Sequence, residues 1–292
     1  MPQTFYEVLW IFIIYAFIGW CSEVSYAALD RGIFVNRGFL NGPYCPIYGC
    51  GVLIVVVLLT PLKKNLLILY LGSFFLTSVL EFITGFVMEK VFHNKWWDYS
   101  DKPFNIMGYV CLKFSIFWGL ACTFIMLIIH PIIYGFIRLI PHIVGIVLLV
   151  IIMTGFVIDV VVTVSTIVKF NRRLKVMDDI AAKIKVLSNQ IGENIYENVE
   201  EALEKSEEFK EEHAEQIEEF EEKKEKLATA ADMTKEKISI TKEKLENMRH
   251  KYDELLSKRN AVSSRLMKAF PDMKSKYHNE ILQKLKKINI RK

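Results

Sequence analysis

The stretch IVGIVLLVIIMTGFVIDVVVTVSTIV, residues 143–168, is followed at once by KFNRRLK, residues 169–175. The first stretch is apolar over more than the roughly 20 residues that a helix needs to cross a bilayer. The second contains four basic residues, and such residues are usually retained in the cytoplasm. Together they predict a membrane-spanning helix whose carboxyl end, with the rest of the chain, lies in the cytosol.

Four further apolar runs precede this helix. The five predicted spans are residues 5–29, 46–60, 66–91, 109–129 and 143–168. The second is short and begins in a proline-bearing segment, so it could either cross the bilayer or re-enter. With five crossings the amino terminus lies outside, which agrees with the larger number of basic residues in the predicted cytosolic loops. We therefore expect a multi-pass protein of the cell membrane.

Charge changes sharply after residue 170. Residues 1–170 hold ten Lys or Arg and eight Asp or Glu, whereas the remaining residues hold 27 and 25. The net charge of +4 indicates no nucleic-acid-binding surface. The predicted fold class is all-α, with a transmembrane helical bundle in residues 1–170 and a cytosolic charged coiled coil in residues 171–292.

The cytosolic part has two oppositely charged sections. Residues 193–225 contain fifteen Glu and four Lys, and residues 226–292 contain eighteen Lys or Arg and eight Asp or Glu. An antiparallel coiled-coil hairpin turning within residues 228–234 would place acid opposite base, whereas a parallel dimer in register would place Glu beside Glu. A single solvated helix is the alternative. The basic end, residues 268–292, would return to the bilayer and bind anionic lipid or a soluble partner.

Two polar segments that contain Gly or Pro interrupt the apolar half, at residues 36–49 and in the loop of residues 92–108. Irregular backbone is costly in lipid unless protein or a hydrated cavity covers it. The first segment resembles a re-entrant element. We therefore look for a function in these two segments.

Four ionisable residues lie inside the predicted spans, namely Glu23, Glu81, Lys113 and Asp159. The predicted topology places them on four helices at a similar depth, roughly 6 to 14 Å from the cytosolic ends. Each would cost about 2.5 to 3.5 kcal/mol there unless it is paired or hydrated. We expect Lys113 to neutralise one carboxylate, and the group to form a polar vestibule open to the cytosol.

A dozen residues are candidates for binding a polar or ionic substrate in this vestibule. They are Glu23, Asn36, Arg37, Asn41, Glu81, Glu89, Trp97, Asp98, Tyr99, Asn105, Lys113 and Asp159. Arg37 has the planar guanidinium that suits a carboxylate or phosphate, and Trp97 and Tyr99 could stack on a ligand or anchor the loop at the membrane boundary. The alternative is structural, because snorkelling and interhelical hydrogen bonds also explain such residues.

These segments resemble a bacterial membrane-protein family known as ABC-transporter type IV, or CmpB-like. The resemblance covers about residues 8–135. It rests on Gly19-Trp20 with Glu23, on NRGFLNGPYCPIYG at residues 36–49, on Glu81 and Glu89, on WDYS at residues 97–100 with Phe104-Asn105, and on Gly108, Cys111-Leu112 and Trp118-Gly119. It implies a multi-span, permease-like protein and names no substrate.

Transport is the predicted function. The chain has no Gly-x-x-x-x-Gly-Lys-Ser/Thr phosphate loop, so any ATP hydrolysis would come from a separate ATPase subunit, and a cytosolic protein could bind the coiled coil. One alternative is a membrane-embedded enzyme acting on a lipid or polyprenyl phosphate headgroup by acid–base chemistry. Another is a membrane-anchored coiled-coil scaffold.

The enzyme hypothesis is less favoured than transport, because the sequence contains no His-Glu-x-x-His motif, no nucleophile elbow and no residues spaced as metal ligands. His93, His130 and His142 are expected at membrane interfaces. The five cysteines form no Cys-x-x-Cys and are expected to be packing residues rather than disulfides or zinc ligands. We expect no cofactor, metal or catalytic residue.

Overall fold

The computed structural model describes residues 1–211, 218–258 and 260–290. The chain forms two compact units, and the first of them contains residues 1–172 together with the described residues from 260 onward. The second contains residues 173–258. The sequence suggested one division near residue 170, whereas the structure divides the chain there and again after Lys258.

Helices make up most of the first unit. They are α1 (Phe5–Arg31), α2 (Pro46–Leu59), α3 (Leu66–Phe92), α4 (Leu112–Phe124), α5 (His130–Leu139) and the first part of α6 (His142–Glu211). A 3₁₀ turn, Thr60–Leu62, extends α2, and a π-helical turn, Ile125–Ile129, joins α4 to α5. The Thr4 and Asn65 side chains cap the amino ends of α1 and α3 by accepting backbone hydrogen bonds.

Four helical stretches in the described part of the chain are long and apolar enough to cross a membrane. They are Phe5–Arg31, Leu66–Phe92, Leu112–Leu139 and His142–Glu193, while Pro46–Leu62 is apolar but shorter. The predicted span of residues 109–129 was wrong at both ends. Residues 110 and 111 belong to a strand, and the helix continues for ten residues beyond Ile129 through the π-helical turn.

Glycines set the contact between α1 and α2. A side chain on Gly19 would overlap the Tyr48 ring, and a Cβ on Gly49 would lie 2.5 Å from the Phe12 carbonyl oxygen. Small residues at such positions let two helices approach closely, which favours packing within a bilayer. The core of the bundle is built around this contact. Its most deeply buried side chains include Ile11, Tyr15, Val55, Val56 and Leu69.

His130 is packed inside the bundle, beside this core. It is 7% exposed, and its Nδ1 lies 3.4 Å from the Tyr15 hydroxyl. The helix does not end near Ile129, so His130 is not at a helix end as the sequence suggested, and its position at a membrane interface stays a prediction.

Residues 32–45 and 93–111 lie at one end of the bundle, which we call the motif end. Strands β2 (Asn105–Ile106) and β3 (Val110–Cys111) form a hairpin there, and β1 (Asn94–Lys95) pairs in antiparallel fashion with β4 (Lys274–Ser275). Two short helices, α8 (Ala261–Ala269) and α9 (Asn279–Ile290), flank β4. The fold is thus predominantly helical, with two short strand pairs that the sequence did not predict.

The second unit contains the rest of α6 and helix α7 (Glu218–Ser257). The predicted turn within residues 228–234 was wrong, because these residues lie inside α7. The Arg173 guanidinium donates a hydrogen bond to the Leu255 carbonyl, so the end of α7 lies beside the start of this unit. Residues 212–217, which join the helices, lie outside the described residues, and the coiled-coil hairpin remains a prediction.

Candidate functional site

Asn36 holds the first polar segment in a tight turn. Its Oδ1 accepts hydrogen bonds from Trp20 Nε1 at 2.8 Å and from the Gly38 amide at 3.1 Å. Its Nδ2 donates to the Asn41 carbonyl at 2.7 Å. All of these partners belong to the protein, so Asn36 shapes the segment rather than presenting a free amide to a ligand.

Asp159 of α6 binds the same segment. Its carboxylate accepts hydrogen bonds from the Asn41 amide at 3.1 Å, from Asn41 Nδ2 at 2.9 Å and from the Gly42 amide at 2.6 Å. The Thr163 hydroxyl adds a fourth bond at 3.1 Å. Gly42 leaves room for this approach, because a Cβ there would lie 3.0 Å from a carboxylate oxygen, which is closer than ordinary van der Waals contact. Asp159 therefore fastens the segment to α6 with a fully satisfied carboxylate.

Glu23 of α1 is neutralised within the first polar segment. Arg37 Nε lies 3.2 Å from one carboxylate oxygen, and the Tyr48 hydroxyl donates to the other at 2.6 Å. The Arg37 guanidinium also lies 5.0 Å from the centre of the Tyr26 ring. The counter-charge of this carboxylate is therefore Arg37 and not Lys113.

Glu81 of α3 differs from the other carboxylates. It is 8% exposed, and its Oε1 accepts only a long hydrogen bond of 3.4 Å from the Tyr99 hydroxyl. Its Oε2 has no hydrogen-bond partner among residues 1–211, 218–258 and 260–290. The expected pairing with Lys113 is wrong, because that side chain is exposed and forms no ion pair within the described part of the chain. Glu81 is thus a buried acid whose charge has no partner among the described residues.

The Tyr99 hydroxyl lies close to the carboxylates of both Glu81 and Glu23. Its ring packs against Phe114 with the ring centres 4.9 Å apart. Burial raises the pKa of the Tyr99 hydroxyl well above its usual value, and the nearby Glu81 and Glu23 carboxylates raise it further. The Glu81 and Glu23 carboxylates both lie close enough to this hydroxyl to raise its pKa, and we call Glu23, Glu81 and Tyr99 together the Glu81 site.

Other predicted residues build the loop that carries Tyr99. Trp97 Nε1 donates to the Tyr109 carbonyl at 2.8 Å, and the Tyr109 hydroxyl donates to Glu89 at 2.7 Å. Burial, and then Glu89, raise the pKa of Tyr109 to about 12. Asn105 closes the loop by donating to the Ser100 and Lys102 carbonyls. Trp97, Glu89 and Asn105 therefore position the loop.

Asp98 joins this loop to the carboxyl-terminal segment, by which we mean residues 260–290. Lys95 Nζ lies 2.9 Å and Lys274 Nζ lies 2.8 Å from its carboxylate, and Ser100 donates two further hydrogen bonds. Burial opposes ionisation, but the bonds from Lys274, Ser100 and Lys95 outweigh it and hold the pKa of Asp98 well below its usual range. Asp98 is thus a paired anion that fastens β4 to the loop.

Arg265 of α8 is a residue of this region that the sequence analysis missed. Its guanidinium donates to the Gly38 carbonyl at 2.7 Å, to the Phe39 carbonyl at 2.9 Å and to Asn41 Oδ1 at 3.2 Å. A helix boundary could have drawn attention to it. Asn260 caps the amino end of α8 through its side chain, and a proline follows shortly after the helix, which is the pattern of a separate short helix.

The comparisons with known proteins agree with the resemblance seen in the motifs. Residues 10–164, more than half of the chain, match the family described as Putative ABC-transporter type IV. No solved structure matches the chain. The matched region contains both polar segments and all three residues of the Glu81 site, whereas α7, α8 and α9 lie beyond it.

Proposed function

This chain belongs to the Putative ABC-transporter type IV family, and we propose that it is a permease-like protein that binds a cationic or hydrogen-bond-donating group at the Glu81 site. Its apolar helices make it a multi-pass membrane protein. The predicted cytosolic orientation would place the Glu81 site toward the inner leaflet, as a vestibule reached from the cytosol.

The unpartnered Oε2 of Glu81 is the observation that carries this proposal. Buried polar atoms in proteins almost always have a hydrogen-bond partner, and an ionisable residue inside a membrane needs a protein group, a proton, a cation or water to satisfy it. The neighbouring carboxylates show the contrast, because Glu23 and Asp159 are both satisfied by protein groups. Glu81 is therefore the position at which a bound group has an oxygen to contact.

Charge favours a cationic or donor group over an anion. Arg37, the predicted ligand for a carboxylate or phosphate, is already paired with Glu23 at 3.2 Å. The Tyr99 hydroxyl donates to Glu81, so it leaves the second oxygen of that carboxylate free to accept. An incoming anion would face an uncompensated acid at close range, which is repulsive in a medium of low dielectric constant.

Any ATP-driven step would require another polypeptide. The chain has no phosphate loop, and the family description is that of a transporter. A separate ATPase subunit that binds the charged carboxyl half is the partner this proposal implies.

The proposal is tested by ligand-dependent stability of the purified protein in lipid nanodiscs. Thermal unfolding is measured with a panel of alkali cations, alkylammonium ions, small amides and small carboxylates, for the wild type and for Glu81→Gln. A ligand at about 100 times its Kd stabilises the folded state by about 2.7 kcal/mol. We expect at least one cation or donor to raise the Tm of the wild type, and no such rise in Glu81→Gln.

Asp30→Asn is the matched control, because Asp30 is an exposed carboxylate at the end of α1 whose ion pair is with the adjacent Arg31. It should respond to ligands as the wild type does. Equal ligand shifts in Glu81→Gln and the wild type, or shifts with carboxylates alone, would contradict the proposal.

A further inference from the structure

Arg265 is held in a ring of oxygen acceptors. Three are backbone carbonyls, those of Asn36, Gly38 and Phe39, and the fourth is the side-chain oxygen of Asn41. The distances run from 2.7 to 3.4 Å. A planar guanidinium has five donors in a fixed fork and suits such a set of converging acceptors better than an ammonium ion does.

The ring is assembled by parts of the chain other than Arg265. Asn36 and Trp20 fix the turn, and Asp159 fastens Asn41 and Gly42 to α6. Asp159 also supplies a negative charge that favours the charged form of Arg265. All of these residues fall within the family-matched region, whereas Arg265 lies about 100 residues beyond its end. The residues of the acceptor ring therefore all lie within the family-matched region, and Arg265 reaches them from outside it.

We propose that residues 36–41 form a guanidinium-binding site whose resident ligand is the chain's own Arg265, and that release of Arg265 leaves this site open to a guanidinium group from solution. The site is separate from Glu81, and the proposal does not depend on what Glu81 binds.

The contacts of Arg265 suit a ligand that can leave. Burial lowers the pKa of its guanidinium, so the hydrogen bonds of Arg265 only partly offset the loss of water around its charge. Its direct acceptors are neutral oxygens, which bind a guanidinium less strongly than a carboxylate does. Other contacts keep the segment tethered when Arg265 is released. These are the Arg31 bond to the Lys268 carbonyl, the β1–β4 pair and the packing of Phe270 on Trp96 with the ring centres 5.1 Å apart.

Cys45 is a native reporter for this opening. It is 5% exposed and precedes α2. Burial, and then the Glu23 carboxylate, raise the pKa of its thiol to about 12, although the Arg265 guanidinium and a hydrogen bond with the Phe39 backbone lower it. The thiol is thus within electrostatic range of both Arg265 and Glu23. In the closed state it should react slowly, because a thiol reacts as the thiolate and needs access to the reagent.

The test is the rate of Cys45 modification by a methanethiosulfonate reagent, measured peptide by peptide by mass spectrometry on the full chain in nanodiscs. Arg265→Ala should raise this rate by about tenfold or more, because loss of its charge-assisted hydrogen bonds lets the reagent reach the thiol. Loss of the Arg265 charge alone would raise the thiol pKa and slow the reaction, so a faster reaction reports access. Ethylguanidinium at millimolar concentration should return the rate toward that of the wild type. Ethylammonium at the same concentration should not. Cys122, buried in the bundle core, should react equally slowly throughout.

Three results would overturn the proposal. They are an unchanged Cys45 rate in Arg265→Ala, no effect of ethylguanidinium on that variant, and equal protection by ethylguanidinium and ethylammonium. Arg265→Gln, which keeps a long polar side chain, replaces Arg265→Ala in the same comparison if the alanine variant does not fold. Glu81→Gln, in a protein that retains Arg265, should leave the rate of Cys45 modification unchanged. This test and the test of the Glu81 site can therefore fail independently.

Discussion

At the residue scale, the partners of a carboxylate decide its role in this protein. Asp159 accepts four hydrogen bonds and fastens a loop, and Glu23 is paired with Arg37 and Tyr48. Glu81 has one long hydrogen bond and an unpartnered oxygen. Of these three acids, only Glu81 therefore retains a carboxylate oxygen that is free to accept a hydrogen bond from a ligand.

Asp98 should make the attachment of β4 depend on pH. Its folded-state pKa lies below the unfolded value of about 3.9, so its contribution is fully present above about pH 5 and is lost as the pH falls further. Its loss should weaken the contact with Lys274 and the adjacent bond from the Lys276 amide to the His93 carbonyl. We expect the hydrogen-exchange protection of the Lys276 amide, corrected for intrinsic exchange, to fall several-fold between pH 6 and pH 3.5.

Asp98→Asn isolates this effect from the protonation of other acids. The variant should have low protection of the Lys276 amide at pH 6 and a much smaller further loss on acidification. A wild-type protection that stays constant over this range, or a pH response that Asp98→Asn retains in full, would show that Asp98 does not hold β4.

The sequence identified the charged residues of the site but not their pairing. Glu23, Glu81 and Asp159 stand out in apolar runs because ionisable groups are rare there. The pairing of each acid with a basic residue depends on how the helices are rotated and on the conformation of an irregular loop. Neither can be recognised from a periodic sequence pattern. Arg37 reaches Glu23 from that loop, while Lys113, one residue into α4, is directed outward.

At the scale of elements, close packing of α1 on α2 orients the site. Gly19 and Gly49 bring the two helices together, and this contact places Tyr48 beside Glu23. The apolar runs themselves were predictable, because length and hydropathy are sufficient to find a spanning helix. The ends of the helices were harder to predict. The sequence composition suggested that a helix ends near Ile129, but the π-helical turn at residues 125–129 continues it.

Gly19→Ala should destabilise the bundle by about 1 to 3 kcal/mol, the usual penalty for overpacking a well-packed contact. The added methyl group would overlap the Tyr48 ring and push α2 away from α1. Gly155→Ala is the matched control, because its Cβ would meet no atom within 4 Å and alanine favours helix. Thermal unfolding in a fixed detergent should show a lower Tm for Gly19→Ala and an equal or higher Tm for Gly155→Ala. Similar losses in both variants would contradict the contact.

The second unit shows where charge patterning misleads. The sign of the charge reverses near residue 226, and the sequence analysis placed a turn in the next few residues. Ala228, Ala230 and Ala231 are strong helix formers, and no Gly or Pro interrupts them, so the backbone continues as α7. A change of net charge indicates which helical faces attract, but it does not specify where the chain reverses.

At the scale of the whole molecule, the first unit combines distant parts of the chain. The carboxyl-terminal segment contacts both polar segments through Arg265 and Lys274. The sequence assigned these residues to the coiled coil and to a lipid-binding basic end, because local composition carries no information about a contact formed across more than 170 residues. The opposite end of the bundle is fixed separately, where the Tyr134 hydroxyl donates to Glu7 and to the Met1 carbonyl.

The orientation of this arrangement in the membrane gives the last prediction. With five crossings and a cytosolic carboxyl half, alkaline phosphatase fused after Lys64 should be active, because the enzyme folds only outside the cytosol. Fusions after Lys102 and at the carboxyl terminus should be inactive there, and fluorescent-protein fusions at the same two positions should be bright. The positive residues after the last span support this orientation. If α2 re-enters instead of crossing while the carboxyl half stays in the cytosol, the three phosphatase results do not change, but the amino terminus then lies in the cytosol with the carboxyl terminus. If the whole chain is inverted, all three phosphatase results reverse, and the Glu81 site would then open toward the outside.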